Sequence, residues 1–85
     1  MNVITAQVSL YPLRTEHLGP AIDAFAEALR EAGLHVESGT MSTLVVGEAD
    51  AVFDALQRGF EVASEEADVV MQVTVSNACP REDGD

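Results

Sequence analysis

The chain has 85 residues, with 15 acidic side chains against four arginines, no lysine and a formal net charge of −11. That balance repels phosphate backbones and anionic lipid, which argues against nucleic acid and membrane surfaces as partners, and a hydrophobic content of 47% argues against disorder. A single cysteine, Cys79, excludes an intrachain disulfide and a multi-thiolate zinc site; with no secretory pattern and no apolar run near the roughly 20 residues of a membrane span, a soluble cytoplasmic domain is expected.

Residues 3–11 alternate. Ile4, Ala6, Val8 and Leu10 share one face, and Val3, Thr5, Gln7, Ser9 and Tyr11 the other. This is a strand with one face on a core, and Pro12 is expected to close it. Thr15 is a candidate N-cap for the helix that follows, with Gly19-Pro20 as the alternative start of its regular part. Leu18, Ile22, Phe25 and Leu29 recur at helical spacing with Ala21, Ala26 and Ala32 beside them, and Gly33 is placed to end the helix.

Residues 34–38 read as a short strand, Gly39-Thr40-Met41 as a connection, and residues 42–48 as the second arm of a hairpin. Asp50 is the expected cap of a second helix, with Val52, Phe53, Leu56, Phe60 and Ala63 as its apolar stripe. That helix stops at Glu65-Glu66, acids that the negative helix end disfavours. Residues 68–76 alternate again as a last strand, and 81–85 form a polar tail.

The order β-α-β-β-α-β predicts a ferredoxin-like α+β sandwich over residues 1–80. A four-stranded antiparallel sheet carries two helices on one face, with the first and third strands central. The other face is left uncovered. It receives Gln7, Ser9 and Tyr11 from the first strand and Val70, Gln72, Thr74 and Ser76 from the last, with Val3 and Val45 adding apolar area. A face of this mixture is expected to be covered by a second copy of the chain, and its enclosed hydroxyls and amides then need partners. A polar ligand or water supplies them.

Several segments together resemble a known family. They are Ser9-Leu10-Tyr11-Pro12, Ser42-Thr43 followed by Gly47, Val52-Phe53-Asp54-Ala55, Val70-Met71, Thr74, Ser76 and Cys79-Pro80. In order and spacing, from about residue 6 to residue 80, they are similar to the YkoF-type thiamine/hydroxymethylpyrimidine-binding family. The resemblance implies a ferredoxin-like unit, binding of thiamine or its pyrimidine half without catalysis, and a link to uptake or salvage of the vitamin, a vitamin transporter among the partners. The founding members carry two such units in tandem. This sequence has one, so a homodimer would have to rebuild that arrangement.

Thiamine presents an aminopyrimidine edge and a cationic thiazolium. Gln7, Ser9, Thr43, Gln72, Thr74 and Asn77 can bond the pyrimidine edge, because amides and hydroxyls both donate and accept. Glu37 can accept from the amine or balance the cation, and Tyr11 can stack on either ring. Leu44-Val45-Val46 is apolar on both faces, so periodicity leaves open whether Ser42 or Thr43 points to the uncovered side; alternation from a helix-facing Val46 favours Thr43. Singly, Thr5, Thr74 and Ser76 read as ordinary strand residues.

No cofactor, catalytic group or metal site is expected. His17 and His35 have no neighbours at ligand spacing, although His35 and Glu37 share a strand face. Cys79 has no visible activating group. Two rival readings remain. One is a dimeric ferredoxin-like enzyme, for which His35 is the only available base. The other is a purely structural or regulatory oligomerisation module.

Overall fold

The computed structural model describes residues 2–39 and 42–78. The expectations for Thr40-Met41, Cys79-Pro80 and the 81–85 tail therefore lie outside the described residues. Six elements follow in the expected order: β1 (Val3–Leu13), α1 (Gly19–Glu31), β2 (His35–Ser38), β3 (Thr43–Glu48), α2 (Ala49–Ser64) and β4 (Asp68–Ser76). The four strands form one antiparallel sheet in the order β2-β3-β1-β4. Both crossovers place a helix on the same face, which is the ferredoxin-like α+β arrangement.

Alternation in β1 and β4 sets the layers. Ile4, Ala6 and Val8 are buried under the helices. Their cross-strand partners Val75 and Val73 on β4 and Gly47, Val45 and Thr43 on β3 must share that face, because directly paired residues point to the same side. Ala21, Phe25, Ala28 and Leu29 of α1 and Val52, Ala55, Leu56 and Ala63 of α2 close the core from above.

The expected helix stripes hold in part: Ala21, Phe25 and Leu29 of α1 and Val52, Leu56 and Ala63 of α2 are buried. Leu18 just before α1, Ile22 of α1, and Phe53 and Phe60 of α2 are exposed rather than in the core, with Phe53 at 53%. Small residues take the inner positions because the two helices approach closely. Gly59 makes the point: a Cβ there would sit 2.7 Å from the Phe25 ring.

The helix starts also differ. Thr15 does not cap α1. Its Oγ1 accepts from the His17 N–H at 3.0 Å, a local turn, and the helix begins at Gly19 with Pro20 in its first turn, where a missing N–H costs no helical bond. Asp50 does not cap α2 either. Glu48 holds the N-cap position without a side-chain bond, and Asp50 sits inside the first turn, where its charge suits the positive helix end. Gly33 ends α1 as expected, at φ 79° and with its N–H donating to the Arg30 carbonyl at 3.0 Å.

Pro12 does not close β1. The strand runs on to Leu13, paired with β4 through Pro12↔Val69 and Leu13↔Asp68. Pairing with β3 ends at Val8↔Thr43, so Pro12 lies where β1 has only one strand neighbour. That is the setting in which a strand tolerates proline.

Gly59→Ala should destabilise the protein. Alanine improves helix propensity by about 1 kcal/mol, but the new methyl meets a buried ring, and overpacking of this kind costs about 1–3 kcal/mol. A thermal melt should show a lowered midpoint; a raised one would mean that the helices can separate at no cost.

Candidate functional site

Register fixes the composition of the uncovered face. Successive cross-strand rows read Glu37, Leu44, Gln7, Thr74; then His35, Val46, Thr5, Ser76; then Ser9 beside Gln72; then Tyr11 beside Val70; then Leu13 beside Asp68. Six of the sequence-derived candidates therefore share one surface: Gln7, Ser9, Tyr11, Glu37, Gln72 and Thr74. Ser42 joins them, because Gln7 Nε2 donates to Ser42 Oγ over a long 3.4 Å.

Thr43 does not. It pairs with the buried Val8, so it faces the helices. Val45, expected on the open side, is fully buried, and Val46 takes the open side in its place. The cause is the phase of β3, which an all-apolar run cannot reveal. Asn77 lies beyond the end of β4, outside the paired rows; there the Ala78 N–H donates to Ser76 Oγ at 3.0 Å.

Charge on this face is confined to its margins. On β2, His35 Nε2 lies 2.8 Å from Glu37 Oε2. At the far end, Arg14 Nε donates to Asp68 Oδ2 at 3.0 Å. Sequence alone did not foresee that second pair; Arg14 stands just past β1 at φ 54°, and the turn brings it back beside Asp68. Between the two pairs, the β1 and β4 residues of the face carry hydroxyl, amide, phenol and apolar groups only. Val3, Tyr11, Leu13 and Val70 are exposed there.

Among the described residues, two concavities off the flat face stand out. The larger, about 420 Å³, runs between α1 and α2 over a floor of Ala28, Ala32, Ala51 and Ala55, with Glu31, Asp54 and Arg58 around it. The smaller, about 140 Å³, lies where the β2–β3 hairpin stops short of the end of β1; it is walled by Leu10, Ile22, Phe25 and Ala26 and edged by Ser38, Gly39, Ser42 and Thr43. Among the described residues, no group of three His, Cys, Asp or Glu side chains is placed to hold a metal ion. None of the described helices is long and apolar enough to cross a membrane.

A family model for the YkoF-related family matches residues 3–82. The chain belongs to the YkoF-related family. Solved structures share its fold. The hypothetical protein MJ1052 from Methanocaldococcus jannascii aligns over 100% of this chain and 87% of its own, at 23% identity and a TM-score of 0.82. TM0486 from Thermotoga maritima, a proposed thiamine biosynthesis/salvage protein, aligns over 96% of this chain and 87% of its own, at 21% identity and a TM-score of 0.79. A domain of unknown function, DUF77, from Bacillus cereus aligns over 88% of this chain and 75% of its own, at 22% identity and a TM-score of 0.79. At these identities the likeness shows the fold alone. No curated protein matches the chain.

Proposed function

We propose that this YkoF-family chain is a non-catalytic, cytoplasmic binding protein for thiamine or its hydroxymethylpyrimidine half, acting as a homo-oligomer in uptake or salvage of the vitamin. The observation that carries the reading is the uncovered sheet face, whose centre holds Gln7, Ser9, Tyr11, Gln72 and Thr74 in adjacent rows with no charge among them. Neutral amides and hydroxyls suit the mixed donor and acceptor edge of an aminopyrimidine. The Tyr11 ring face and the strongly negative chain suit a thiazolium cation. The thiamine-related description of the Thermotoga protein points the same way.

Thiamine and hydroxymethylpyrimidine should compete for one site in calorimetric titration. Thiamine diphosphate should gain nothing from its phosphates. Of the described arginines, Arg14 is engaged with Asp68, while Arg30 and Arg58 lie on the helices, so no guanidinium pair is assembled for an anion. Gln7→Ala should weaken thiamine binding by about 1 kcal/mol through loss of one hydrogen-bonding group. Much tighter binding of the diphosphate, or no heat with either thiamine or the pyrimidine, would remove this reading.

The same face supports the homo-oligomer. Two copies that meet on it bury Val3, Tyr11, Leu13 and Val70 and keep the charged margins outside. Each copy carries −11, so long-range repulsion opposes the encounter. Raising ionic strength from about 0.01 M to about 0.15 M shortens the screening length from about 30 Å to about 8 Å, and light scattering should show more dimer. Val70→Asp should give a monomer. A wild-type chain that is monomeric at every salt concentration contradicts the interface.

One observation favours the enzyme reading: a carboxylate holds the His35 ring at 2.8 Å, and orientation of a histidine by a carboxylate is a feature of base catalysis. The binding reading expects His35→Ala to bind thiamine nearly as well as the wild type. A folded His35→Ala variant that no longer binds would favour the enzyme.

A further inference from the structure

The helix layer turns outward on the side of the molecule opposite the uncovered sheet face. Its 420 Å³ groove lies between the C-terminal end of α1 and the first half of α2, where Ala28 and Ala32 stand across from Ala51 and Ala55. Four alanines make an apolar floor, because none has a side chain long enough to fill the space between the helices. Ala28 and Ala55 are buried at the bottom of it.

The rims are acidic. Glu31 and Asp54 line the groove, and each has a second acid four residues away on its own helix, Glu27 on α1 and Asp50 on α2. All four are exposed. Side chains four apart on a helix are neighbours, so each pair repels itself. Neither helix relieves that repulsion. Among the described residues the ion pairs are Arg14–Asp68 and His35–Glu37, both at the sheet margins. Arg58 is the base among the lining residues, and no ion pair joins it to these acids.

Charge selects the occupant of such a groove. A second copy of the chain brings the same acids and the same −11, so self-association is opposed here and favoured on the sheet face with its uncharged centre. Phosphate-bearing partners are repelled. A lone divalent cation lacks a ligand set, since among the described residues no three His, Cys, Asp or Glu side chains are placed to hold one. An apolar floor between acidic rims is complemented by an apolar stripe between cations, which is the surface of a basic amphipathic helix. The stems of its lysines or arginines can lie along the alanines while their charges reach the rims.

We propose that the groove between α1 and α2 is a docking site for a basic amphipathic helix of another protein. Small apolar side chains of that helix rest on the alanine floor, and its cations meet the Glu27–Glu31 rim on one side and the Asp50–Asp54 rim on the other. Arg58 marks the part of the groove where the partner carries no cation. A homo-oligomer built on the sheet face leaves this groove open, so both contacts can be made at once.

The probe is a synthetic helical peptide of about 14 residues, roughly four turns, made of alanine, leucine and lysine with the lysines flanking one apolar stripe. NMR of the full chain at low ionic strength should show amide shifts concentrated at Ala28, Ala32, Ala51 and Ala55, with binding that weakens as ionic strength rises to about 0.15 M. Glu31→Lys/Asp54→Lys reverses one charge on each rim and should weaken calorimetric binding about tenfold or more. Glu65→Lys/Glu66→Lys changes the net charge by the same amount at the other end of α2 and should weaken it less than about threefold. All four positions are exposed, and circular dichroism checks that both variants fold. Equal losses in the two variants would mean attraction to net charge alone and would overturn the docking site. So would equal binding of a peptide of the same composition with its lysines shuffled across the stripe, shifts centred on the sheet face, or no binding to the wild type. None of these outcomes touches the vitamin-binding reading, which thiamine titration tests separately.

Discussion

One-sided burial governs this molecule. Two helices can cover one face of a four-stranded sheet and no more, and every buried strand residue, Ile4, Ala6, Val8 and Val45, lies on that side. The core is thin and made of small side chains. It closes because Ala21 and Ala28 of α1 and Ala55 and Gly59 of α2 let the layers approach, so that the Phe25 ring rests where Gly59 has no Cβ. Bulkier residues at those positions would lift a helix off the sheet, and a chain this short has little other apolar area to offset the loss. The same economy turns Phe53 and Phe60 outward and leaves the second sheet face bare. The candidate site is what the packing leaves over.

The second determinant is unequal strand length. A hairpin as long as β1 would pair along its whole edge and leave no notch. Here β2 and β3 stop early, β1 continues through Pro12 beside β4 alone, and the gap is roofed by α1. Proline fits this arrangement, since a strand with one free edge has a side on which a missing N–H breaks no ladder. The segment Ser9-Leu10-Tyr11-Pro12 thus serves three surfaces. Leu10 walls the cleft, Ser9 and Tyr11 face the open side, and Pro12 occupies the half-paired stretch.

Much of this was legible in the sequence where alternation was clean. The faces of β1 and β4, the element order, the sheet topology and the Gly33 terminus all follow from period and turn chemistry, and with them six of the site candidates on one surface. β3 was not legible. Leu44-Val45-Val46 satisfies either phase, and only pairing with Val8 shows that Thr43 points inward and Val46 outward. The helix stripes held at Phe25, Leu29, Val52, Leu56 and Ala63 and missed at Leu18, Ile22, Phe53 and Phe60. Periodicity ranks large side chains as core, whereas the close helix pair keeps Phe25 inside against Gly59 and turns Phe53 and Phe60 outward. The caps failed because Thr15 and Asp50 are good capping residues in the wrong phase: Thr15 bonds its own turn, and Asp50 already lies inside the helix. The Arg14–Asp68 pair joins residues 54 apart in sequence, and no local pattern reports such a contact.

Charge placement adds the last constraint. On a chain of −11, the one face with an uncharged centre is also the face without a cover. Two of its marginal acids have partners, Glu37 in His35 and Asp68 in Arg14, while Glu48 stands in the Val3 row. These pairs are solvent-exposed, so each contributes little to stability. Their effect is local: they lower the negative field at the edges of a surface that has no charge within it. Discrimination on such a surface depends on hydrogen-bond geometry and shape, because an amide or hydroxyl left unpaired beside a mismatched guest costs about 1–3 kcal/mol once it is buried. A neutral ring edge is read by that rule. A phosphate is not, since nothing on the face compensates its charge, and the field of the whole chain opposes its approach.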